Sequence, residues 1–459
     1  MTRLFGTQGF RGIVNKELTA TVAHDVGHAL ADYLEGQKTI GLGWDSRQSS
    51  EMLGFAFSAG LMGGGCNVHI LGLVPTPLLA YAIPRLKLDG GVMITASHNP
   101  PEYNGIKLWG PDGASFTVEM GHAVEDYYFA EDRSLREWQA CGRLVPSEDF
   151  RLQYIEALLE QVDGQRLIKR QFHVAADCGG GAAAMVVPAL LNAIEVRTKL
   201  LYCEPDGLFS NRLPEPKEAN LQELIQTVKK NELDVGIAWD GDADRIIFIT
   251  DQGRYLMGDR VFALAAYHSL RDLQEKPKRI VTQVATSDII HEVARLVDAE
   301  IVETRVGEPF IVQAMKAKNA VIGGEENGGV IYRGWSWARE GMLTALKILE
   351  LMELEDKSLE ELDRQFPTYH QVKESVHCSH QEKEDLLELI KGYAPSEAEC
   401  STIDGIKFRY TDGWVLLRPS GTEPIFRVFA EAKTETRVKT LVNQGLQIVS
   451  DALEDLKVK

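Results

Sequence analysis

The sequence has few cysteines for its length, six in 459 residues, and no two of them form a CxxC pair. The cysteines are Cys66, Cys141, Cys178, Cys203, Cys378 and Cys400. Cysteines so sparse exclude a disulfide framework, and their spacing excludes a zinc finger. They indicate reduced thiols, and we expect a cytoplasmic protein.

Long apolar runs and an excess of basic residues are also missing. No run of about 18 apolar residues occurs, and the opening residues MTRLFGTQGFRG lack the apolar core of a signal peptide, so we expect no membrane span. The 49 basic residues are outnumbered by 67 acidic ones, for a formal net charge of -18. Because nucleic-acid binding requires a basic face, this charge argues against a nucleic-acid partner. A local basic pocket for a small phosphate is compatible with it.

Strand-like and helix-like segments alternate through the first three quarters of the chain. The order strand, polar loop, helix occurs from residue 39, again from 172 and again from 279. This order predicts parallel βαβ units. In the last stretch, strands surround short turns such as 411–413, and a helix-like tail follows, which is typical of an α+β domain.

We therefore predict an α/β protein with three similar mixed α/β domains plus a C-terminal α+β domain around a central cleft. The expected domains span residues 1–147, 148–252, 253–367 and 368–459. Residues 365–375 are interpreted as the linker into the last domain.

Four polar loops follow apolar strand-like segments, and ligands of α/β sheets bind at the carboxyl ends of strands. The first loop, TASHNP, contains Ser97. Acyl transfer is disfavoured, because His98 is adjacent in sequence and no GxSxG elbow surrounds the serine. Ser97 is either a capping serine of an ordinary loop or a phosphorylation site.

The second loop, DGDADR, places Asp240, Asp242 and Asp244 at alternate positions, followed by Arg245. Three carboxylates so close together are costly without a cation, and oxygen ligands suit Mg²⁺ or Ca²⁺. An EF-hand loop requires glycine where this chain has Arg245. The alternatives are a Mg²⁺ site that leaves a position for a phosphate oxygen, or a solvated acidic turn.

The third loop, GGEENGG, encloses Glu325, Glu326 and Asn327 between glycine pairs that permit close approach of backbone to ligand. It is interpreted either as a sugar-hydroxyl site or as a glycine-rich hairpin turn.

The fourth loop, RPSGTEP, is either an anion-binding nest or a polar turn between strands. Its candidate phosphate-binding residues are Arg418, Ser420, Gly421, Thr422 and, just beyond the loop, Arg427.

Taken together and in this order, the four motifs resemble those of the α-D-phosphohexomutase superfamily, which comprises phosphoglucomutases, phosphomannomutases and phosphoglucosamine mutases. The resemblance covers essentially the whole chain, and the form GEENGG is similar to that of archaeal-type members. It implies a phosphoserine at Ser97 and one Mg²⁺ bound by Asp240, Asp242, Asp244 and an oxygen on Ser97. It also implies a sugar-binding loop at Glu325 and Asn327 and a phosphate-binding loop at 418–424.

Further segments match the superfamily. FGTQGFRG implies that Arg11 lies near the phosphoserine, where Arg245 shares the negative charge. Lys107 in YNGIK matches a proposed acid/base, which His98 could assist. The segment TRVGEPF offers substrate contacts at Arg305, Gly307 and Glu308. Many members have serine and histidine where this chain has Asn327 and Gly329, a departure that concerns the choice of sugar.

The function implied is interconversion of hexose 1-phosphate and hexose 6-phosphate, of glucosamine, glucose or mannose, with a 1,6-bisphosphate as intermediate and activator. The expected partner is a small sugar phosphate, and a homo-oligomer is compatible with the sequence. One alternative is a phosphoserine-type sugar phosphatase, which has little need of a second phosphate site. Another is a non-catalytic sugar-phosphate sensor, which is expected to lose Ser97, one of the aspartates or Lys107.

Overall fold

The computed structural model describes residues 4–6, 9–130, 136–145, 149–379, 381–420 and 424–458. Within these residues the chain forms four β-sheets, one after another along the sequence. The first three sheets contain both parallel and antiparallel pairs, and the fourth is antiparallel throughout. The predicted fold class, three mixed α/β domains and a C-terminal α+β domain, is confirmed.

The first sheet has six strands in the order β1-β5-β4-β2-β3-β6. Its strands are β1 (Phe10–Ile13), β2 (Thr39–Trp44), β3 (Asn67–Leu73), β4 (Gly90–Ile94), β5 (Tyr103–Trp109) and β6 (Leu144–Val145). Its helices are α1 (Ala20–Tyr33), α2 (Ser50–Gly63), α3 (Thr76–Arg85) and α4 (Val118–Tyr128). All five residues of β4 are buried, since parallel strands are covered on both faces. The TASHNP loop therefore begins at the end of a fully buried strand.

The second sheet has the order β11-β10-β9-β7-β8. Its strands are β7 (His173–Asp177), β8 (Arg197–Leu201), β9 (Val235–Trp239), β10 (Ile246–Thr250) and β11 (Tyr255–Leu256). Its helices are α5 (Arg151–Leu159), α6 (Gly164–Arg170), α7 (Val187–Ala193) and α8 (Gln222–Lys230). Strands β9 and β10 are antiparallel and fully buried, so DGDADR is the connection of a buried hairpin.

The third sheet has the order β13-β12-β14-β15. Its strands are β12 (Lys278–Gln283), β13 (Ala299–Thr304), β14 (Ile322–Gly324) and β15 (Val330–Tyr332). Its helices are α9 (Gly258–Arg271), α10 (Ile289–Val297), α11 (Glu308–Lys318), α12 (Gly341–Glu355) and α13 (Leu359–Asp363). The antiparallel pair β14 and β15 holds residues 325–329 in its turn. Gly307, with φ of 132°, turns the chain into α11 at a backbone angle that favours glycine.

The fourth sheet has the order β16-β20-β19-β18-β17. Its strands are β16 (His370–His377), β17 (Glu399–Ser401), β18 (Ile406–Tyr410), β19 (Gly413–Pro419) and β20 (Ile425–Ala432), and its helices are α14 (Lys383–Lys391) and α15 (Glu435–Val458). The interpretation of 365–375 as a linker is wrong for its second half, because residues from His370 onward pair with β20. Every residue of β16 is at least partly exposed, and its only apolar residues are Val372 and Val376, so the sequence carries little strand pattern there.

One further prediction needs correction. The helix predicted after the strand and loop that begin at 172 is divided into a 3₁₀ turn at Ala182–Met185 and then α7. Pro188 lies in the first turn of α7, where its missing N–H costs nothing, whereas it would disrupt a continuous helix.

The apolar core is continuous across the first three domains. Tyr81 of the first domain stacks on Trp335 of the third, with ring centroids 4.4 Å apart, and Tyr154 of the second packs against both. The fourth domain has its own core and meets the third in a small apolar cluster that includes Val284 and Trp414. The first three domains therefore form one packed body to which the fourth is attached. Within the described ranges, no helix combines the length and the apolar character needed to cross a membrane.

Glu340 joins the second and third domains, and its removal provides a test of this core. The fully buried carboxylate caps α12, accepting from Met342 N at 3.0 Å, and it also accepts from the Tyr154 hydroxyl and from Trp335 Nε1 at 2.8 Å. Glu340→Ala leaves these buried donors unpaired, so we expect a loss of about 3 kcal/mol and a clearly lower Tm in scanning calorimetry.

The control is Ser358→Ala, which removes the exposed capping box of α13 and should cost only about 1 kcal/mol. Equal Tm values for the two variants would contradict the role given to Glu340.

Candidate active site

Ser97 is held in a constrained position at the end of β4. Its side chain is completely buried, and its φ of 52° lies in the left-handed region, which costs a non-glycine residue about 1 kcal/mol. Its N–H donates to Thr95 Oγ1 at 2.8 Å. The Ser97 hydroxyl donates to Asp240 Oδ2 at 2.8 Å, which joins the first loop to the second.

Arg47, which the sequence analysis missed, fixes the shape of this loop. Its buried guanidinium donates to the carbonyl oxygens of Ser97, Asn99, Pro100 and Tyr103, at distances between 2.6 and 2.9 Å. Asp45 pairs with Arg47 at 3.0 Å and also accepts from the Thr95 hydroxyl at 2.6 Å. The available signal was the pair of charges in WDSR, directly after the apolar strand β2.

Asp240, Asp242 and Asp244 converge in the turn between β9 and β10. All three are buried, and one oxygen of each lies within 4.8 Å of the others. Among the described residues, Asp242 Oδ1 and Asp244 Oδ1 are buried without a hydrogen-bond partner. A compact set of carboxylate oxygens, two of them unsatisfied, fits a hard divalent cation such as Mg²⁺.

The pKa values of this turn reflect the crowding of negative charge. Burial, together with Asp242 and Asp244, raises the pKa of Asp240 to about 8. Burial acts on Asp242 in the same direction, but Lys107, Thr76 and Arg339 together outweigh it and hold the pKa of Asp242 well below its usual range. The three carboxylates thus resist being ionised together unless positive charge lies among them.

Cationic side chains from the first and second domains surround the same turn. Lys107 Nζ on β5 lies 2.7 Å from Asp242 Oδ2 and 3.5 Å from Asp244 Oδ2. Arg245 Nε lies 4.0 Å from Asp240 and 3.9 Å from Asp244. The arrangement brings positive charge from two domains to the Ser97 hydroxyl.

Arg11 and His98 complete this side of the cluster. Arg11 Nη1 donates to Asn99 Oδ1 at 2.7 Å, and burial followed by the charge of Arg245 lowers the pKa of Arg11 to about 10. His98 Nδ1 lies 3.4 Å from Ser97 Oγ. Arg245, then burial, then Arg11 hold the pKa of His98 well below its usual range. All the first-domain residues predicted for the site are therefore brought together.

Arg339 is the second important residue that the sequence analysis missed. Its buried guanidinium donates to Asp244 and Glu325 and lies 3.2 Å from Glu308. It holds the pKa of Glu325 below its usual range against the effect of burial, while burial raises the pKa of Glu308 to about 7. One side chain thus ties the aspartate turn to both predicted substrate loops of the third domain.

The predicted sugar loop is shaped around Arg339. Asn327 Nδ2 donates to Glu325 Oε2 at 3.3 Å, and Asn327 Oδ1 accepts from Gly329 N at 3.1 Å. A Cβ at Gly329 would lie 2.3 Å from Cδ of Arg339. With Arg339 in this position, the structure therefore leaves no room for a side chain at residue 329.

The predicted phosphate-binding residues form a second group, in the fourth domain. Arg418 and Arg427 are directly opposite on β19 and β20, and Arg418 Nε donates to Asp404 Oδ2 at 2.7 Å. Ser420 is buried, and its N–H donates to Ile425 O at 3.0 Å. Like charges in direct cross-strand register repel, and an anion between them offsets this cost.

Not every predicted residue joins these two groups. Arg305 is exposed, and its guanidinium lies 5.7 Å from the ring centre of Phe310. Gly421 and Thr422 lie outside the described residues. The first group thus comprises residues of three domains around Ser97. The loop that carries Arg305 and Gly307 connects it to the second group, which contains the predicted phosphate-binding residues of the fourth domain.

Comparison with known proteins agrees with this geometry. Family models for phosphoglucomutase/phosphomannomutase match in chain order: α/β/α domains I, II and III at residues 2–134, 152–253 and 257–369, and the C-terminal domain at 371–446. A phosphoglucomutase/phosphomannomutase of Thermococcus kodakarensis is 39% identical over 458 residues, 99% of this chain and 100% of that protein. A phosphoglucosamine/phosphogalactosamine mutase of Sulfurisphaera tokodaii is 37% identical over 452 residues, 98% of this chain and 99% of that protein.

The fold has a counterpart among solved structures. The crystal structure of a phosphoglucomutase/phosphomannomutase family protein from Burkholderia thailandensis superimposes with a TM-score of 0.87 at 24% identity, covering 98% of each chain. The fold and the site define a four-domain hexose-phosphate mutase. The chain belongs to the phosphoglucomutase/phosphomannomutase family.

The role of Arg339 can be tested through stability. Arg339→Gln leaves Asp244, Glu308 and Glu325 buried without their shared counter-charge, so we expect a loss of about 3–5 kcal/mol and a large drop in Tm. Arg339→Lys keeps the charge but loses the forked geometry and should lie between this variant and the wild type.

The matched control is Arg437→Gln, which breaks a surface pair with Asp412 and should cost less than about 1 kcal/mol. If calorimetry gave the same Tm for Arg339→Gln and Arg437→Gln, the bridging role of Arg339 would be refuted.

Proposed function

We propose that the protein interconverts hexose 1-phosphates and hexose 6-phosphates through a phosphorylated Ser97 and a hexose 1,6-bisphosphate. The main support is the hydrogen bond from the buried Ser97 hydroxyl to Asp240. Asp240 belongs to a group of three aspartates, and Lys107 and arginines lie next to this group. Phosphoryl transfer depends on position and on neutralising charge, and this arrangement supplies both.

In the first half-reaction, the phosphoryl group leaves Ser97 Oγ and bonds to a sugar hydroxyl oxygen. Arg11 and Arg245 share the negative charge on the phosphoryl oxygens. Lys107, whose Nζ lies 2.7 Å from Asp242 Oδ2, would give a proton to Ser97 Oγ as the phosphoryl group leaves and take the proton that the sugar hydroxyl loses. His98 Nδ1 lies 3.4 Å from Ser97 Oγ. The reverse transfer from the other end of the bisphosphate restores the phosphoserine.

Mg²⁺ is the metal that we propose for the aspartate turn. Asp240, Asp242 and Asp244 would hold it, with an oxygen of the phosphate on Ser97 completing the set. The orphaned oxygens Asp242 Oδ1 and Asp244 Oδ1 support this donor set. When bound, the ion supplies Lewis-acid stabilisation of the charge on the phosphoryl group.

The remaining predicted residues would hold the parts of the substrate that do not react. The phosphate at the far end would bind to Arg418, Ser420, Gly421, Thr422 and Arg427. The sugar would lie against Arg305, Gly307, Glu308, Glu325 and Asn327. A phosphate site separate from Ser97 lets either end of the same hexose be held while the other reacts, which a mutase needs and a phosphatase does not.

We also propose the domain boundaries near 147 and 367 and a cytoplasmic location. The boundary at 367 is supported by its position between α13 and β16. The boundary predicted at 252 is placed too early, because β11 pairs with β10 in the second sheet, and we propose that the second domain ends after β11. Sparse, unpaired cysteines support the location.

A substrate panel tests the proposed function. Glucose, mannose and glucosamine 1-phosphates, with Mg²⁺ and a trace of bisphosphate, should each be assayed for the 6-phosphate and for free phosphate. We expect interconversion of at least one sugar phosphate. Release of free phosphate without interconversion would instead favour a sugar phosphatase, and binding without turnover would favour a sensor.

Ser97→Ala gives the residue-level test. We expect turnover to fall by at least about a thousandfold with Tm preserved, because the oxygen that carries the phosphoryl group is lost. Mass spectrometry should find one phosphate on the peptide containing Ser97 in the wild type and none in the variant.

Ser58→Ala is the control, since Ser58 is also buried in the first domain but only donates to Gly54 O within α2. Full activity in Ser97→Ala would overturn the assignment.

A further inference from the structure

Asp404 connects the fourth domain to the third at the point where the phosphate group is expected. One of its oxygens, Oδ2, accepts from Arg418 Nε at 2.7 Å and from the backbone N–H of Val306 at 3.0 Å. Arg418 lies on β19 of the fourth domain, and Val306 lies in the third. A single carboxylate oxygen therefore accepts one hydrogen bond from the fourth domain and one from the third.

The turn that carries Asp404 is closely packed against Arg418. Gly405 has a φ of 76°, and a Cβ there would lie 2.4 Å from Leu417 O and 3.0 Å from Cα of Arg418. The backbone on either side of the ion pair is thus in direct contact, so the carboxylate has little freedom to move away from the guanidinium. This separates the pair from an ordinary surface salt bridge, whose two flexible side chains lose entropy on pairing.

Among the described residues, the Arg418 side chain makes its hydrogen bond through Nε and leaves its terminal nitrogens without one. The contact uses Nε, and a guanidinium held at Nε keeps two terminal nitrogens in a fixed plane, the geometry that suits bidentate binding of a phosphate. Asp404 thereby selects one orientation of the side chain before an anion arrives.

Val306 connects the Asp404–Arg418 pair to the first group of site residues along the chain. It precedes Gly307 and Glu308, and Glu308 lies 3.2 Å from Arg339, which also contacts Asp244. The path from Arg418 to the aspartate turn therefore consists of two short chain segments joined by charged contacts.

We propose that Asp404 is a positioning residue. It sets the orientation of Arg418 and the position of the 306–308 loop together. The phosphate bound in the fourth domain is thereby held at a fixed position relative to the sugar bound in the third. This inference rests on the proposed function. It adds a residue that has no place in the motifs from which that function was argued.

Other contacts hold the two domains together without Asp404. Lys407 donates to Val284 O at 2.6 Å, and Arg409 lies 2.7 Å from Asp288. Trp414 and Leu416 pack against Val284. Loss of Asp404 should therefore leave the domains docked and change the binding of the phosphate.

The test uses the full chain with Asp404→Asn, Arg418→Ala and the double variant. Asp412→Asn is the matched control, because Asp412 also pairs with an arginine of the fourth domain, Arg437, but on its outer surface. For Asp404→Asn we expect KM for the sugar 1-phosphate to rise about tenfold, with kcat changed by less than about twofold, because a clamp on the unreacting phosphate binds ground state and transition state alike. Asp412→Asn should match the wild type.

The double variant separates positioning from a structural role. Because Asp404 places the 306–308 loop relative to the phosphate that Arg418 holds, both of its effects require Arg418. Adding Asp404→Asn to Arg418→Ala should therefore raise KM by no more than about twofold further. Effects that multiply, or an unchanged KM in Asp404→Asn, would overturn the proposal.

Calorimetric titration with inorganic phosphate gives a readout that needs no turnover. We expect about tenfold weaker binding in Asp404→Asn than in Asp412→Asn, and equal or tighter binding would overturn the inference. A wild type that binds phosphate in this way but interconverts no sugar phosphate would refute the proposed function and leave the role of Asp404 standing.

Discussion

The balance of charge around the aspartate turn is the constraint on which the rest of the structure depends. Five carboxylates, including Glu308 and Glu325, are buried together with Lys107, Arg245 and Arg339, and the half-buried Arg11 lies beside them. Buried charges persist only when they are paired, so each loop must reach the turn for its neighbours to remain ionised. This mutual dependence, more than any single bond, holds loops of three domains in one place.

The fold meets this constraint through repetition. In each of the first three domains an apolar, fully buried strand ends in a polar loop. The strands of the second and third domains share one apolar core, and α3 of the first domain packs into it. Ser97 can then be kept in a left-handed backbone conformation, because Arg47 holds four carbonyl oxygens of its loop. The fourth domain has a separate core, which suits a part that binds the far end of the substrate.

The features that could be predicted from the sequence are those formed by residues close together in the chain. The three aspartates could be predicted as a cation site from their spacing, and the strand-loop-helix order could be predicted from its apolar pattern. Ser97 was left open by its own loop, and the phosphoserine followed from the resemblance of the four motifs together. Arg339 could not be predicted, since its partner Asp244 is 95 positions away and nothing near Arg339 indicates a ligand. The role of Arg47 could not be predicted either, because its four acceptors are backbone oxygens and every residue in the sequence has one. The strand β16 was mistaken for a linker because it has few apolar residues.

Titration with Mg²⁺ tests whether the aspartate turn binds a divalent cation. Metal bound only to the native state raises Tm with increasing concentration. We predict one Mg²⁺ per chain by calorimetry and a saturable rise in Tm for the wild type, both retained in Asp412→Asn and lost in Asp242→Asn. A wild type whose Tm does not respond to Mg²⁺, or an undiminished response in Asp242→Asn, would contradict the account.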